Sequence, residues 1–353
     1  MSHHHHHHMT TNVAAKVPEI KAVTTVKQQI IWRNVVLLTV IHLLALYAAV
    51  VLVPRMRMIT FIWHFAYGYS GAMGATAGVH RYWTHKSYKA KLPLRIILAV
   101  LYLTYGMNSI FHWVRDHRVH HKFSETDADP HNASRGLFFS HVGWLMQKKH
   151  PEVLRRGKQV DMSDVLADPV VQFEEKYYAP LVLTFTFLIP ICVPCLLWGE
   201  TWWNSTFCNI FRWVFSLNVV WSVNSFAHIY GNHPYNRQIN PAENKVVSAL
   251  ALGEGWHNYH HTFPWDYKTG ELGGYGLNLT TAFIDFFAYI GWAYDLKQPS
   301  KEFVQEVVEK LGDGSHTKWG HVEEVPEEGE HRLIAKQNFE EMLLEAEEKA
   351  KGV

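Results

Sequence analysis

Two closely spaced pairs of apolar stretches restrict this chain more than any other feature. Residues 35–53 run apolar with only Thr39 and His42 as polar interruptions, enough for a helix across about 30 Å of hydrocarbon. A turn at residues 54–57 leads to a second stretch, 58–79, where Gly68, Gly71, Gly74 and Gly78 permit close helix contact. Residues 179–198 and 207–227 form a second hairpin, with Pro190 and Pro194 expected to kink the third stretch and Arg212 near the outer end of the fourth. The fold class expected is all-α, integral to a membrane and multi-pass, with four transmembrane helices.

The segments between and beyond the stretches set the orientation. Basic residues gather before the first stretch (Lys16, Lys21, Lys27, Arg33) and in residues 80–178, which puts that block and both termini in the cytosol; Arg55 and Arg57 pull weakly the other way. The polar segment 10–33 carries no cleavable signal, so the first span is expected to act as the membrane signal. Within the cytosolic block, residues 94–105 are apolar but too short to cross and are expected to lie at the interface. Residues 276–296 are apolar around Asp285; a fifth span there would separate the last histidine cluster from the C-terminus, so an interfacial amphipathic helix is expected. Residues 1–8 read as an expression tag and 9–33 as an N-terminal cytosolic segment, and 34–312 form the main domain, its cytosolic helical cap made of 80–178 and 228–312. The acidic tail 313–353 has Phe339, Met342, Leu343 and Ala346 on one helical face. The sequon at Asn204 is too close to the bilayer for use.

Composition narrows the function. With 48% hydrophobic and 18% charged residues and a net charge of +1, the chain offers membrane lipids a partner surface and gives no reason to expect nucleic acid. Cys192, Cys195 and Cys208 lie in apolar stretches and are expected to be packing thiols, with no disulfide framework.

Of 25 histidines, six belong to the tag. Eight of the rest form three clusters: His80-Arg-Tyr-Trp-Thr-His85 at the end of the second span, His117-Arg-Val-His120-His121, and His257-Asn-Tyr-His260-His261. The repeated HxxHH spacing puts three imidazoles on one helical face. Imidazole suits iron, copper, zinc and nickel alike, but eight ligands exceed what one octahedral ion accepts, so two metals are the simplest count. His42, His64, His112, His131, His141 and His150 are read as packing or solvated residues.

The clusters, together with Thr76-Ala-Gly, Trp113-Val-Arg-Asp116, Lys122-Phe-Ser-Glu-Thr, Asp129-Pro-His-Asn132, Ser140-His-Val-Gly-Trp144 and Gly253-Glu-Gly-Trp through Thr-Phe-Pro264, resemble the animal membrane acyl-CoA desaturases of the stearoyl-CoA desaturase family from Trp32 to about Trp319. The resemblance implies that the domain 34–312 is a desaturase domain whose cap holds a histidine-ligated di-iron site. It adds His228, in Asn224-Ser-Phe-Ala-His228, and has Asn224 reach a metal through water. One iron would take His80, His85, His117, His121 and His260, the other His120, His228, His257, His261 and the Asn224 water. Zinc can take iron's place in an overexpressed protein. The activity implied is O2-dependent introduction of a double bond into a fatty acyl-CoA, with electrons from cytochrome b5 and its NAD(P)H reductase on the endoplasmic reticulum membrane. Removing hydrogen from an unactivated methylene needs such an oxidant, because acid–base side chains cannot do it.

By the same likeness Asn34, Asn108, Arg115, Asp116, Lys148, Lys149, Trp113 and Trp221 are expected to bind substrate, the two lysines near the CoA phosphates. Steps of four back from His80 give Thr76, Ala72 and Gly68, small residues expected to line the closed end of an acyl tunnel. Glu254 and Asp116 are expected, from sequence proximity alone, to orient imidazoles. Many relatives have Gln where Met107 stands, Thr where Val220 stands and a small residue where Phe226 stands, so the tunnel's bend is lined differently here and delta-9 regiochemistry is not assumed. A histidine-box hydroxylase or acetylenase is the alternative enzyme. A metal transporter would need ligands at mid-membrane, and a Glu-x-x-His carboxylate bundle would have to use Glu254 with His257 and Glu328 with His331; neither pattern fits.

Overall fold

The computed structural model describes residues 28–320 together with Leu344. The tag, most of the N-terminal segment and the tail helix around Phe339 lie outside the described residues. The described chain is helical apart from one two-stranded ribbon, β1 (Lys89–Ala90) and β2 (Ala293–Tyr294), which pair antiparallel.

Two helices are long and apolar enough to cross a membrane, α1 (Trp32–Arg55) and α5 (Tyr178–Trp198). Leu43, Leu46 and Val50 of α1 stay at least 60% exposed, an apolar surface that suits lipid rather than water. Pro190 of α5 follows a π-helical stretch, Leu183–Leu188, whose widened turn tolerates the missing N–H, and Pro194 lies inside the next helical turn.

The other two expected spans are equally long but polar inside. Helix α2 (Met58–Met73) continues without a break into a π-helical segment, Gly74–Thr84, and α6 (Trp202–Asn224) begins at an N-cap where Thr201 accepts from Asn204 N at 3.1 Å. Between them Thr60 donates to Glu200 (2.8 Å), His64 meets Ser205 (3.2 Å), and Arg212 donates to the Thr104 and Thr186 carbonyls and to Asn209. A pair that satisfies its polar groups on its inner faces leaves its apolar side chains facing outward.

Helices α3 (Leu92–Tyr105) and α4 (Ile110–Lys122) follow, bent by 86°. Leu92 and Ile96 of α3 are about half exposed, as an interfacial helix allows, whereas Leu94, Leu98 and Tyr102 are at most 1% exposed, a burial worth roughly 1.5–3 kcal/mol per large apolar side chain. They pack on α2, where Gly74 lets α3 approach so closely that a Cβ would lie 2.1 Å from Tyr102 N. Gly106, at φ 75°, makes the bend, and α4 then starts with Glu174 accepting from Ile110 N at 3.1 Å.

Three more helices complete the part that concerns the site: α7 (His257–Thr262), α8 (Leu279–Tyr289) and α9 (Lys301–Leu311). At 11 residues α8 is too short to cross a bilayer, and its central Asp285 accepts from the Tyr267 and Tyr275 hydroxyls.

Candidate metal centre

The π-helical end of α2 explains the first histidine pair. Residues five apart diverge by about 140° on an α-helix, but a π-helix bonds residue i to i+5. His85 N donates to His80 O at 3.2 Å, and the two rings sit 4.9 Å apart. Helices α4 and α7 supply the HxxHH triplets. His228 comes from a short helical turn, Phe226–Ile229, beyond the break at Ser225 where α6 ends.

These nine imidazoles meet as two groups. His80, His85, His117, His121 and His260 form one and His120, His228, His257 and His261 the other, each with its ligand atoms within 4.8 Å of one another. These are the two sets into which the family resemblance divides them. Asn224 is the last residue of α6, four before His228.

The nitrogens themselves test whether a metal fits. Nε2 of His260 lies 3.0 Å from Nε2 of both His80 and His121, His117 lies 3.0 Å from His121, and His257 lies 2.9 and 3.0 Å from His228 and His261. Neighbouring ligands at right angles around an ion about 2.1 Å away are about 3.0 Å apart, so the spacing suits cis positions. Nε2 of His85 and of His120 are buried with no hydrogen-bond partner, an expense that a bound cation would remove. Burial first, and repulsion among the rings second, holds His85, His117, His120, His121, His257, His260 and His261 well below the ordinary imidazole range. They are neutral, the form that binds metal.

Carboxylates sit behind three of the rings. His80 Nδ1 is 2.9 Å from Glu254, His120 Nδ1 2.8 Å from Asp129, and His228 Nδ1 2.6 Å from Glu125, the arrangement that fixes which ring nitrogen faces a metal. Burial raises the Glu254 carboxyl, but Arg81 and His80 outweigh it and hold it below its usual range. Asp116 does not join them, which corrects the expectation of an imidazole-orienting role. Next to His117 on a helix its side chain points about 100° away, and it pairs instead with Lys149 at 2.9 Å. Asp129 and Glu125 carried a signal only in the motif text flanking the second cluster. His131, read as a packing residue, is buried against His120 with ring centroids 4.2 Å apart and forms a further potential ligand group with His120 and Asp129.

The expected substrate residues divide among several places. Arg115, Asp116 and Lys149 line a cavity of about 400 Å³ with Phe111, Lys158 and Met162, whereas Lys148 is exposed and borders a smaller neighbouring pocket with Asp127. Asn34 donates to Leu145 O at 2.9 Å, and Asn108 is exposed at the α3–α4 bend. Trp113 stacks on His117, with centroids 4.7 Å apart. Trp221 is buried between His42 and His141. Met107 and Val220 are partly buried against the central core, and Phe226 is exposed beside His141. Gly68 and Ala72 border an apolar cavity of about 230 Å³ between α2 and α6. Thr76, expected beside them, instead accepts from Thr280 at 2.8 Å, because the helix widens after Gly74. The three cysteines are free thiols, with Cys208 buried.

Residues 55–267 match the fatty acid desaturase family model. The chain is 54% identical over 295 residues to the acyl-CoA Delta-9 desaturase of Acheta domesticus, covering 83% of this chain and 82% of that protein. It is 51% identical over 290 residues to stearoyl-CoA desaturase 5 of Bos taurus (82% and 86% of the two chains) and 50% identical over 293 residues to the acyl-CoA Delta12-desaturase of Acheta domesticus (83% and 82%).

Proposed function

This chain belongs to the fatty acid desaturase family, and we propose that its two histidine groups each hold one iron ion at the centre of an O2-dependent fatty acyl-CoA desaturase. The enzyme is an oxidoreductase, and its reaction is the desaturation of a fatty acyl-CoA. The observation that carries the metal assignment is the convergence of nine largely buried imidazoles into two groups whose nitrogens have the spacing of cis ligands.

When bound, the metal pair supplies, from O2 and two external electrons, an oxidant strong enough to take hydrogen from an unactivated methylene. The protein's part is position. Glu254, Asp129 and Glu125 hold His80, His120 and His228 with Nδ1 protonated and Nε2 inward. Asn224 places a water at the four-histidine group. The cavity at Arg115 and Lys149 receives the polar CoA, Lys148 from the neighbouring pocket and Asn34 and Asn108 contact other parts of the substrate, and Trp113, Met107, Val220 and Trp221 guide the acyl chain past the metals. The apolar cavity at Gly68 and Ala72 takes the far end of the chain. Overall, two methylene hydrogens, two electrons and two protons reduce O2 to two waters and leave one double bond.

The membrane arrangement belongs to the same proposal: four spans, α1, α2, α5 and α6, with both termini and the helical cap in the cytosol. The home is the endoplasmic reticulum membrane, and cytochrome b5 with its reductase provides the electrons. The test is expression in desaturase-deficient cells, followed by location of double bonds by mass spectrometry. New monounsaturated acyl chains that require the wild-type histidines are expected; hydroxylated or acetylenic products alone would replace the reading with its nearest rival.

A further inference from the structure

A line of aromatic rings runs to the surface from Tyr259, which is joined to the third histidine triplet through the backbone of α7. Tyr259 is one peptide bond from His260 and fully buried, and its hydroxyl donates to Asp266. The Tyr235 ring stands edge-on to it at 4.9 Å, and its hydroxyl donates to Glu271 at 2.6 Å. The His316 ring follows at 5.6 Å from Tyr235 and is stacked 4.7 Å from Trp319, which is half-buried at the edge of the fold. His316 Nδ1 accepts from two backbone amides, so Nε2 carries the proton and faces Glu271 at 3.2 Å.

Packing alone does not require this chemistry. The contacts with Phe263, Val304 and Val308 use only the tyrosine rings. Here each phenol is matched to a carboxylate of its own, and Asp266 is 2% exposed, although burying a carboxylate costs free energy. A phenol with a hydrogen-bonded base gives up an electron and a proton together, without leaving a buried charge. Tyrosine and tryptophan are readily oxidised and scarcely reducible, so such a line conducts oxidising equivalents outward from a strong oxidant.

We propose that Tyr259, Tyr235 and Trp319 form an escape route that carries oxidising equivalents from the histidine site to the surface when no substrate C–H bond is in place. The proposal rests on the reading that this site activates O2. One electron leaves Tyr259 and its proton passes to Asp266. Tyr235 then returns an electron to Tyr259, which recovers its proton from Asp266, while the Tyr235 proton passes to Glu271. Trp319 refills Tyr235 across the His316 ring and is left as a radical cation, while Tyr235 recovers its proton from Glu271. A soluble thiol finally gives Trp319 one electron and releases one proton, and two such thiols end as a disulfide.

The experiment compares iron-loaded enzyme in detergent, supplied with an electron donor, O2 and catalase, with and without stearoyl-CoA and in the absence of thiols. Oxidation of Trp319 is read by peptide mass spectrometry and radicals by freeze-quenched electron paramagnetic resonance. Without substrate, Trp319 should be oxidised several-fold more than with substrate. Y235F should abolish that difference and shift oxidation onto the histidines, while W319F should prolong a tyrosyl radical. Initial rates of double-bond formation should match wild type in both variants. Trp319 oxidation that is independent of Tyr235, or equal in metal-stripped protein treated with peroxide, overturns the route. Absence of double bonds from wild type as well would overturn the desaturase reading, a separate result.

Discussion

The two histidine groups differ in count and in what stands behind them. The group of His80, His85, His117, His121 and His260 has five imidazoles and one carboxylate, Glu254, which Arg81 holds from behind at 3.0 Å. The group of His120, His228, His257 and His261 has four imidazoles and two carboxylates, Asp129 and Glu125, both from the loop after α4. An octahedral ion in the first would keep one position for another ligand and in the second two. Glu254 also comes from a turn, so the groups differ in that a buried guanidinium braces the first carboxylate, whereas the two carboxylates of the second group share one loop. That loop is braced from within, because Asp129 also accepts from Glu125 N at 2.9 Å and His131 N at 3.1 Å.

The largest effects should come from removing an imidazole, and each should fall on the group that loses it. His260 touches two ring partners in the five-membered group, and H260A is expected to cut desaturation by more than about 100-fold, beyond the range for an outer-shell partner. Bound metal should fall from two equivalents toward one. H257A should do the same from the other side, and equal metal loss from both ions in either variant would show the two groups to be one cooperative unit.

Next come the carboxylates, where the comparison predicts different kinds of damage. Arg81 is fully buried and spreads its donors over Glu254, the Tyr267 carbonyl, Thr281 and Asn278. E254Q leaves that guanidinium without its counter-charge, so it should cost about 3–5 kcal/mol of stability, seen as a lower Tm even in metal-free protein. E125Q breaks no such pair. It should weaken metal at the four-membered group by roughly 10–100-fold and leave the metal-free Tm almost unchanged. Matching Tm losses in the two variants would erase the distinction between a carboxylate braced by Arg81 and one that is not.

How much of this was open to reading from sequence follows the same divide. The HxxHH triplets were legible because an α-helix makes their spacing meaningful, and α1 and α5 because an unbroken apolar run has few other homes. The pairing of His80 with His85 was legible only as a cluster, since nothing local announces a π-helix. His228 could not be found from spacing, because a backbone break at Ser225 and a short turn bring it in, and only resemblance to the family pointed to it. Glu125 and Asp129 act from a loop, with Glu125 at φ 57°, where no periodicity assigns a direction to a side chain. The packing of the inner face of α3 had no local signal, because the glycine that admits it lies on another helix.

The smallest expected effect belongs to Asp116, which proximity in sequence would have placed among the orienting carboxylates. It faces Lys149 at 2.9 Å and Arg115 at 3.9 Å, in the cavity on the far side of α4 from the imidazoles. A partly exposed ion pair of this kind is worth up to about 1 kcal/mol, a factor of about 5 in an equilibrium. D116N should therefore raise the KM for acyl-CoA by no more than about 5-fold, with kcat and metal content as in wild type. Loss of a metal ion in D116N would put the carboxylate back behind His117 and give the five-membered group a second outer partner. The asymmetry between a group braced by Arg81 and a group braced by its loop would then no longer hold.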